Sequence, residues 1–300
     1  MKTNTLKEKT VHGNAMFPLK IYSIIDSEST YSLSYHWHDE VEIIYVEEGE
    51  IIFNIDMKPI KVNANECLFI NSHKLHSAYA INSIESIHHA IVFDMNILSS
   101  SIYDYCQSKY IDPLLNSTLS FPMLIDKTCL CGNNILTEIR GLIDIYYGKH
   151  QGWELSVKAS LLKIISFIAD QDKFIKNTSI NLTSNDYKVE RIKIILDYIY
   201  KNYKNKIYID ELAKEANMNS QYFCRFFKSL TGKSPISYIN HYRIEKAAKL
   251  LQTQNYKVME ICFIVGFDNF SYFIKKFKEY KNCTPSEYKK MGPSQNYKVK

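Results

Sequence analysis

Three histidines and a carboxylate stand at spacings that suit coordination chemistry: His36, His38, Glu42 and His76. Two histidines one residue apart on a strand point to the same face. Glu42 joins them on the next strand if the chain turns near Asp39-Glu40. Three imidazoles and one carboxylate fit a divalent transition metal such as Fe, Mn, Ni or Zn. The same side chains can instead line a polar pocket, bonding one another, the backbone or the hydroxyls of a ligand. We favour the pocket, with no metal and no cofactor. Strand parity then turns Ser34 inward with His36 and His38, while Tyr35 and Trp37 face away. It places Ile44 and Val46 beside Glu42, and Ala78 and Ala80 beside His76. Polar groups among apolar walls suit a small ligand, and a sugar offers both hydroxyls and apolar ring faces. The expected effector contacts are Ser34, His36, His38, Glu42, Ile44 and His76. Of His88 and His89, only one can face inward. Cys129-Leu-Cys131 reads as an inert pair.

The last hundred residues carry a second kind of chemistry. One pattern occurs twice, at Ile209 to Lys228 and at Lys257 to Lys278. Each copy is a short apolar helix, a tight turn at Asn217 or Gly266, a capping residue, and an aromatic helix ending in Phe-Lys. Asn tolerates the left-handed conformation and Gly adopts it freely. Asn219 or Ser220 caps the second helix of the first copy, and Asp268 that of the second. Phe223, Phe226 and Phe227 face inward, with Phe273, Lys276 and Phe277 as counterparts. The opposite faces carry Gln221, Tyr222, Arg225 and Lys228, then Asn269, Ser271, Tyr272, Lys275 and Lys278, and Ser220, Phe270 and Lys276 are further candidates for DNA contact. Arg can bond guanine bidentately, and Asn or Gln can bond adenine. Lys at a helix end suits phosphate. Both sets are expected to meet double-stranded DNA.

The elements that must position these groups follow from periodicity. Short β-branched and aromatic runs at Ile43–Val46, Ile51–Ile55, Cys67–Ile70 and Ala90–Phe93, separated by Gly and Asn, predict a sandwich or small barrel over residues 1–96. Helical spacing begins near Ile97. Along Trp153–Ile168 a stripe of Leu155, Ala159, Leu162, Ile165 and Ile168 is expected to pack on a partner subunit, making a homodimer. Residues 97–175 thus form a helical, dimerising segment, and 176–186 a polar linker. Residues 187–291 read as all helix, with Pro235–Leu251 connecting the two repeats.

Charge is divided in the same way. The net is +5 overall, but Tyr187 onward holds 22 Lys+Arg and 10 Asp+Glu, against 15 and 22 before it. A basic half beside an acidic one points to a polyanion for one half only. Seven cysteines in no framework spacing fit a reducing cytoplasm. No apolar run is long enough to cross a membrane, and the polar N-terminus lacks a signal-peptide core.

The doubled unit closely resembles the DNA-binding domain of AraC-family transcriptional regulators. The resemblance rests on Ala213, Phe227-Lys228, Thr231-Gly232, Ser234-Pro235, Tyr238, Arg243, Ala247 and Leu250-Leu251. It continues through Ile261, Val265-Gly266-Phe267, Tyr272-Phe273, Phe277-Lys278, Thr284-Pro285 and Tyr288. Cys262 stands where the family usually has Ala, and Asn282 takes the place of a common Gly. The resemblance implies recognition helices in successive major grooves, about 34 Å apart, with Gln221, Arg225, Ser271 and Lys275 as base readers. The histidine spacing through Gly49 resembles the first cupin motif, and His76 matches the second. That implies a small β-barrel sensor domain, which AraC-family proteins often carry. The expectation is a multidomain regulator: an N-terminal all-β cupin-like barrel followed by helices, then an all-α domain with two helix-turn-helix units. A protein-sensing regulator and a DNA-tethered metal enzyme are the alternatives, the enzyme being the weaker because tethering offers it no advantage.

Overall fold

The computed structural model describes residues 6–27, 29, 31–81, 84–128, 131–177 and 184–290, with side chains from 187 onward in the last stretch. Cys129 and most of the expected linker lie outside the described residues. The chain forms two compact units, one built on Lys7–Asn181 and one on Leu182–Gln295. Among the described residues no helix is long and apolar enough to cross a membrane.

The first unit is built on seven antiparallel strands: β1 (Leu19–Asp26), β2 (Ser32–His36), β3 (Val41–Ile55), β4 (Lys58–Asn63), β5 (Glu66–Ile70), β6 (His76–Ala80) and β7 (Ser86–Phe93). The first half of β3 pairs with β5 and β7, and its second half with β4 and β6. The same strand therefore belongs to both sheets. Its pairing with β7 shifts register between Val46 and Glu48. Before that bulge Glu42, Ile44 and Val46 face the interior; after it Ile51, Phe53 and Ile55 do. An extra residue inverts the period of two, so a bulge is what keeps both halves apolar inside. Gly49 follows the bulge at φ +76°, and a Cβ there would lie 1.8 Å from the carbonyl oxygen of Glu85.

The outer face of the first sheet is as apolar as the inner one. Val41, Ile43, Tyr45, Phe69, Ile91 and Phe93 share a single core with the helices that follow. These are a short α1 (Asp112–Leu115), then α2 (Gly132–Gly148) and α3 (Trp153–Asp170). Short strands β8 (Leu119–Ser120), β9 (Leu124–Ile125) and β10 (Ile175–Lys176) complete the unit. On α3, Val157, Leu161, Ile164, Ile165 and Ile168 are buried in that core. The expected stripe is thus divided. Ile165 and Ile168 pack on the sheet, while Leu155 and Leu162 are 76% and 44% exposed.

The second unit holds α4 (Ser184–Asn202), α5 (Ile209–Glu215), α6 (Ser220–Thr231), α7 (Pro235–Thr253), α8 (Val258–Ile264), α9 (Phe270–Lys281) and α10 (Pro285–Lys290). The two repeats share their local solutions. Asn219 Oδ1 accepts from Tyr222 N–H, and Asn269 Oδ1 from Tyr272 N–H, at 2.9 and 2.8 Å. The second cap is therefore Asn269 rather than Asp268. One residue more stands between Gly266 and its cap than between Asn217 and Asn219, so the repeat step changes from 49 to 50 across the turn. Both α6 and α9 end in a left-handed residue, Gly232 at φ 71° and Asn282 at φ 57°. Pro235 opens α7 behind the Ser234 cap.

The turn residues are not interchangeable. Asn217 lies at φ 53°, whereas Gly266 lies at φ +90° with the space for a Cβ filled by Tyr203 O at 2.5 Å. Gly266→Ala therefore forces α8 and α9 away from the end of α4. It is expected to destabilise the second unit by about 3 kcal/mol, while Asn217→Gly costs less than about 1 kcal/mol. Chemical denaturation of the two variants beside the wild type measures both; equal losses would show that the close approach does not matter.

Candidate functional site

At one end of the sheet interior the sequence-predicted histidines meet. His36 and His76 are directly opposed across β2 and β6, with ring centroids 4.1 Å apart. His38 follows β2, and its ring centroid lies 5.0 Å from that of His76. Glu42 enters from β3, and its Oε2 is 3.2 Å from Nε2 of both His38 and His76. The three histidines each offer a nitrogen within 4.8 Å of the others. His38, Glu42 and His76 are buried, while His36 is partly so.

Two expected pocket residues divide at a second irregularity. β2 shifts register between Leu33 and His36, so Leu33 packs on the interior cluster and Ser34 is exposed. Ser34 is a correction to strict strand parity, because a bulge inverts every position on one side of it. Its carbonyl, not its hydroxyl, serves the cluster, 3.0 Å from His36 Nδ1. Ile44 is inside, at 1% exposure.

The N-terminal segment contributes groups that spacing alone did not reveal. Glu8 Oε2 lies 3.5 Å from His36 Nε2 and 3.6 Å from His12 Nε2. His12 Nδ1 is 3.0 Å from the Tyr22 hydroxyl. The segment is held by the Lys7–Asp39 ion pair and by Glu8 N–H donating to Trp37 O at 2.9 Å. The only hint in the sequence is the four-residue interval between Glu8 and His12.

Charge in the cluster is strongly biased. Burial opposes ionisation of Glu42, yet hydrogen bonds and charge from His38 and His76 hold it far below the carboxylate range. Burial likewise works against Glu8, but His12 and His36 hold it down to about 2. His38 is raised despite its burial, because it bonds to Glu42. Burial, then the neighbouring His76, pushes His36 down to about 4. Both carboxylates are thus held ionised against their burial by the imidazoles around them.

A different polar group faces the interior farther along β7. Of the adjacent pair, His88 points inward and His89 outward. His89 sits between Ser23 Oγ at 2.7 Å and Glu47 Oε2 at 2.9 Å. His88 is fully buried, edge-on to Tyr31, and neither of its ring nitrogens has a hydrogen-bond partner among the described residues. Ser86 Oγ, next along the same face, is buried and unpaired in the same sense. Burial, then His89, pushes His88 down to about 4, so its ring is neutral at physiological pH. Apolar Ile24, Val46, Ile51 and Phe53 belong to the core cluster of the same interior.

The second unit presents its polar residues as two unequal faces. On α6, Phe223, Phe226 and Phe227 are buried, and Gln221, Tyr222, Arg225 and Lys228 are exposed. Ser220 is partly buried, and its hydroxyl donates to Asp210. On α9, Phe273 and Phe277 are buried, and Ser271, Tyr272, Lys275 and Lys278 are exposed. Phe270 packs against the core beside Phe273. Asn269 is engaged as the cap. Tyr272 OH accepts from buried Asn240 at 3.1 Å, and Lys276 pairs with Glu279 at 2.8 Å.

The family profile described as AraC-like ligand binding domain matches residues 18–165, and a helix-turn-helix domain profile matches residues 212–291. The chain is 31% identical over 300 residues to an uncharacterised HTH-type transcriptional regulator, YdeC, of Bacillus subtilis, covering 96% of this chain and 97% of that one. The chain belongs to the AraC family of transcriptional regulators. Another uncharacterised HTH-type regulator, YdiP of Escherichia coli, is 24% identical, covering 85% of this chain and 80% of its own length. Among solved structures, ToxT of Vibrio cholerae is 16% identical, covering 93% of this chain and 99% of its own, with a TM-score of 0.41. The family fixes the coarse function: the helical unit binds DNA, the sheet-rich unit binds a ligand, and the whole regulates transcription.

Proposed function

We propose that this regulator senses a small hydroxyl-bearing molecule, of which a sugar is the leading class, inside its sheet-rich unit. The observation that carries the reading is the pair His88 and Ser86, fully buried polar groups with no partner among the described residues. Buried polar atoms are normally satisfied, and a ligand hydroxyl can donate to or accept from both a neutral imidazole and a serine. The apolar walls around them suit a sugar ring face. The histidine cluster and Ile44 border the same interior. Calorimetry across a sugar panel is expected to find one binder, weakened about 5- to 150-fold by His88→Gln, since losing a buried hydrogen bond costs about 1–3 kcal/mol. Heat from no sugar, with wild-type protein folded and dimeric, would reject this ligand class.

A homodimer supports this function, with α3 as the seam. Leu155, Ala159, Leu162, Ser166 and Ala169 are at least partly exposed and recur at alternating steps of four and three. That is the spacing of a two-helix seam. Leu155→Glu with Leu162→Glu is expected to convert dimer to monomer in sedimentation, with the unit still folded; a wild-type monomer would end the idea.

On DNA, α6 is proposed to read bases through Gln221 and Arg225. The α9 face, with Ser271, Lys275 and Lys278, would add base and phosphate contacts. For a duplex selected from a random pool, Arg225→Ala is expected to cost about 1–3 kcal/mol of discrimination, with a smaller loss on random DNA at the same salt. Equal loss on both duplexes in fluorescence anisotropy would assign Arg225 to phosphate instead.

A further inference from the structure

We propose that Cys224 on α6 and Ile274 on α9 read the 5-methyl groups of two thymines about one turn of duplex apart, so that the operator carries a T·A pair at each place. The proposal rests on the reading of α6 and α9 as the helices that enter the major groove.

The repeat sets the two residues in one position. From cap to Phe-Lys ending the step is constant: Asn219 and Asn269 cap, Phe223 and Phe273 are buried, as are Phe227 and Phe277, and Lys228 and Lys278 follow. Cys224 and Ile274 hold the same place in that pattern. Each stands three residues after an exposed polar side chain, Gln221 or Ser271, and four before an exposed lysine, Lys228 or Lys278. Side chains three and four apart on a helix are neighbours. Each polar face is thus bordered by one half-buried apolar group, at the same point in both copies. Ile274 leans on the core of the second repeat and leaves its other side outward. The opposite flank of α9 carries Tyr272, which is tied to Asn240 of α7.

Cys224 is a free thiol, but Ile274 has no thiol chemistry, so what the two positions share is apolarity. Base pairs present donors and acceptors to the major groove, and one apolar group, the thymine methyl. A thiol bonds hydrogen weakly and an isoleucine side chain not at all. Placed against N7, O6 or an amino group, either would remove water and return no hydrogen bond, which costs free energy. Placed against a methyl, either buries apolar surface and forfeits nothing. Ile274 is β-branched and already packed on one side, so little rotamer freedom is lost on contact. It also lets α9 discriminate between bases without a free hydrogen-bonding group. The competing role is closure of the core edge. A residue with that role alone is indifferent to a methyl on the DNA, so the decisive probe lies in the DNA.

The full chain is used to select a duplex from a random pool. Each thymine is then replaced singly by deoxyuridine, which lacks only the methyl, and binding is followed by fluorescence anisotropy at fixed salt. Two thymines about 10 base pairs apart are expected to matter. Uracil at either should weaken binding about fourfold, and at both about 15-fold, the effect of one buried methyl at each. Cys224→Ser should bind the thymine duplex about fourfold more weakly. It should no longer distinguish uracil from thymine at the first position, yet still do so at the second. Ile274→Val, which keeps most of the packing, should narrow the difference at the second position only. Uracil tolerated everywhere, with Arg225→Ala still lowering discrimination, would overturn the proposal and leave α6 as a base reader. Equal loss from Arg225→Ala on selected and random duplexes would overturn both. A methyl effect at one position alone would overturn the assignment to the other helix, as would Cys224→Ser that still tells thymine from uracil at both.

Discussion

The sheet-rich unit depends on the phase of one strand. β3 is 15 residues long and is hydrogen-bonded in both sheets, so its inward and outward positions set the interior and the outer core together. A period of two cannot be changed gradually; it is kept, or it is inverted by a bulge. The register shift after Val46 inverts it once, which allows Glu42, Ile44 and Val46 to face the interior along with Ile51, Phe53 and Ile55. The odd residues Val41, Ile43 and Tyr45 meanwhile seat α2 and α3 outside. Gly49 is required next to that bulge because the backbone at Glu85 occupies the place of a Cβ. Glu42 inherits its burial from this arrangement, and the histidine cluster inherits Glu42.

What the sequence reveals follows from the same rule. Where a strand is regular, residue type and spacing suffice: Glu42, Ile44, His76 and Ala78 were placed by parity and lie inside. Where it is bulged, parity misleads, and Ser34 is exposed with Leu33 inside. Which of His88 and His89 turns inward depended on strand phase, and β7 is regular enough that its pairing with β1 decides it. Glu8 and His12 were not legible at all, because their proximity to His36 is a tertiary return of the chain end with no period to announce it. The α3 stripe is divided for another reason. Five residues at helical spacing predict one face, but the helix has two apolar faces, one against the sheet and one exposed.

In the helical unit, local rules carried further. Caps, left-handed turn residues and inward phenylalanines recur because each repeat must end one helix, turn and begin another within a few residues. The inserted residue between Gly266 and Asn269 moved the second cap from Asp268 to Asn269. Contacts across the unit then make the two copies unequal. Arg243 donates to Tyr203 O and Asn205 O, both at 2.7 Å, fastening α7 to the chain between α4 and α5. The same helix grips α9 through Asn240 to Tyr272 and Glu245 to Lys281 at 2.9 Å.

That inequality bears on how the protein reads DNA. A base-reading side chain must exchange its water for groups on the base edge, and one already committed to a neighbour must also break that bond. On α9, Asn269 caps, Phe270 is packed, Tyr272 is held by Asn240, and Lys276 lies against Glu279. What remains is Ser271 and lysines, which suit phosphate better than bases. On α6, Gln221 and Arg225 are exposed on one face, both of types able to make paired bonds to a base edge. The groups left free on α9 are thus of types suited to positioning, and those on α6 include types suited to discrimination. Side chains already held by neighbours lose less conformational entropy on meeting a ligand, which favours contacts that position over contacts that must adapt to each base.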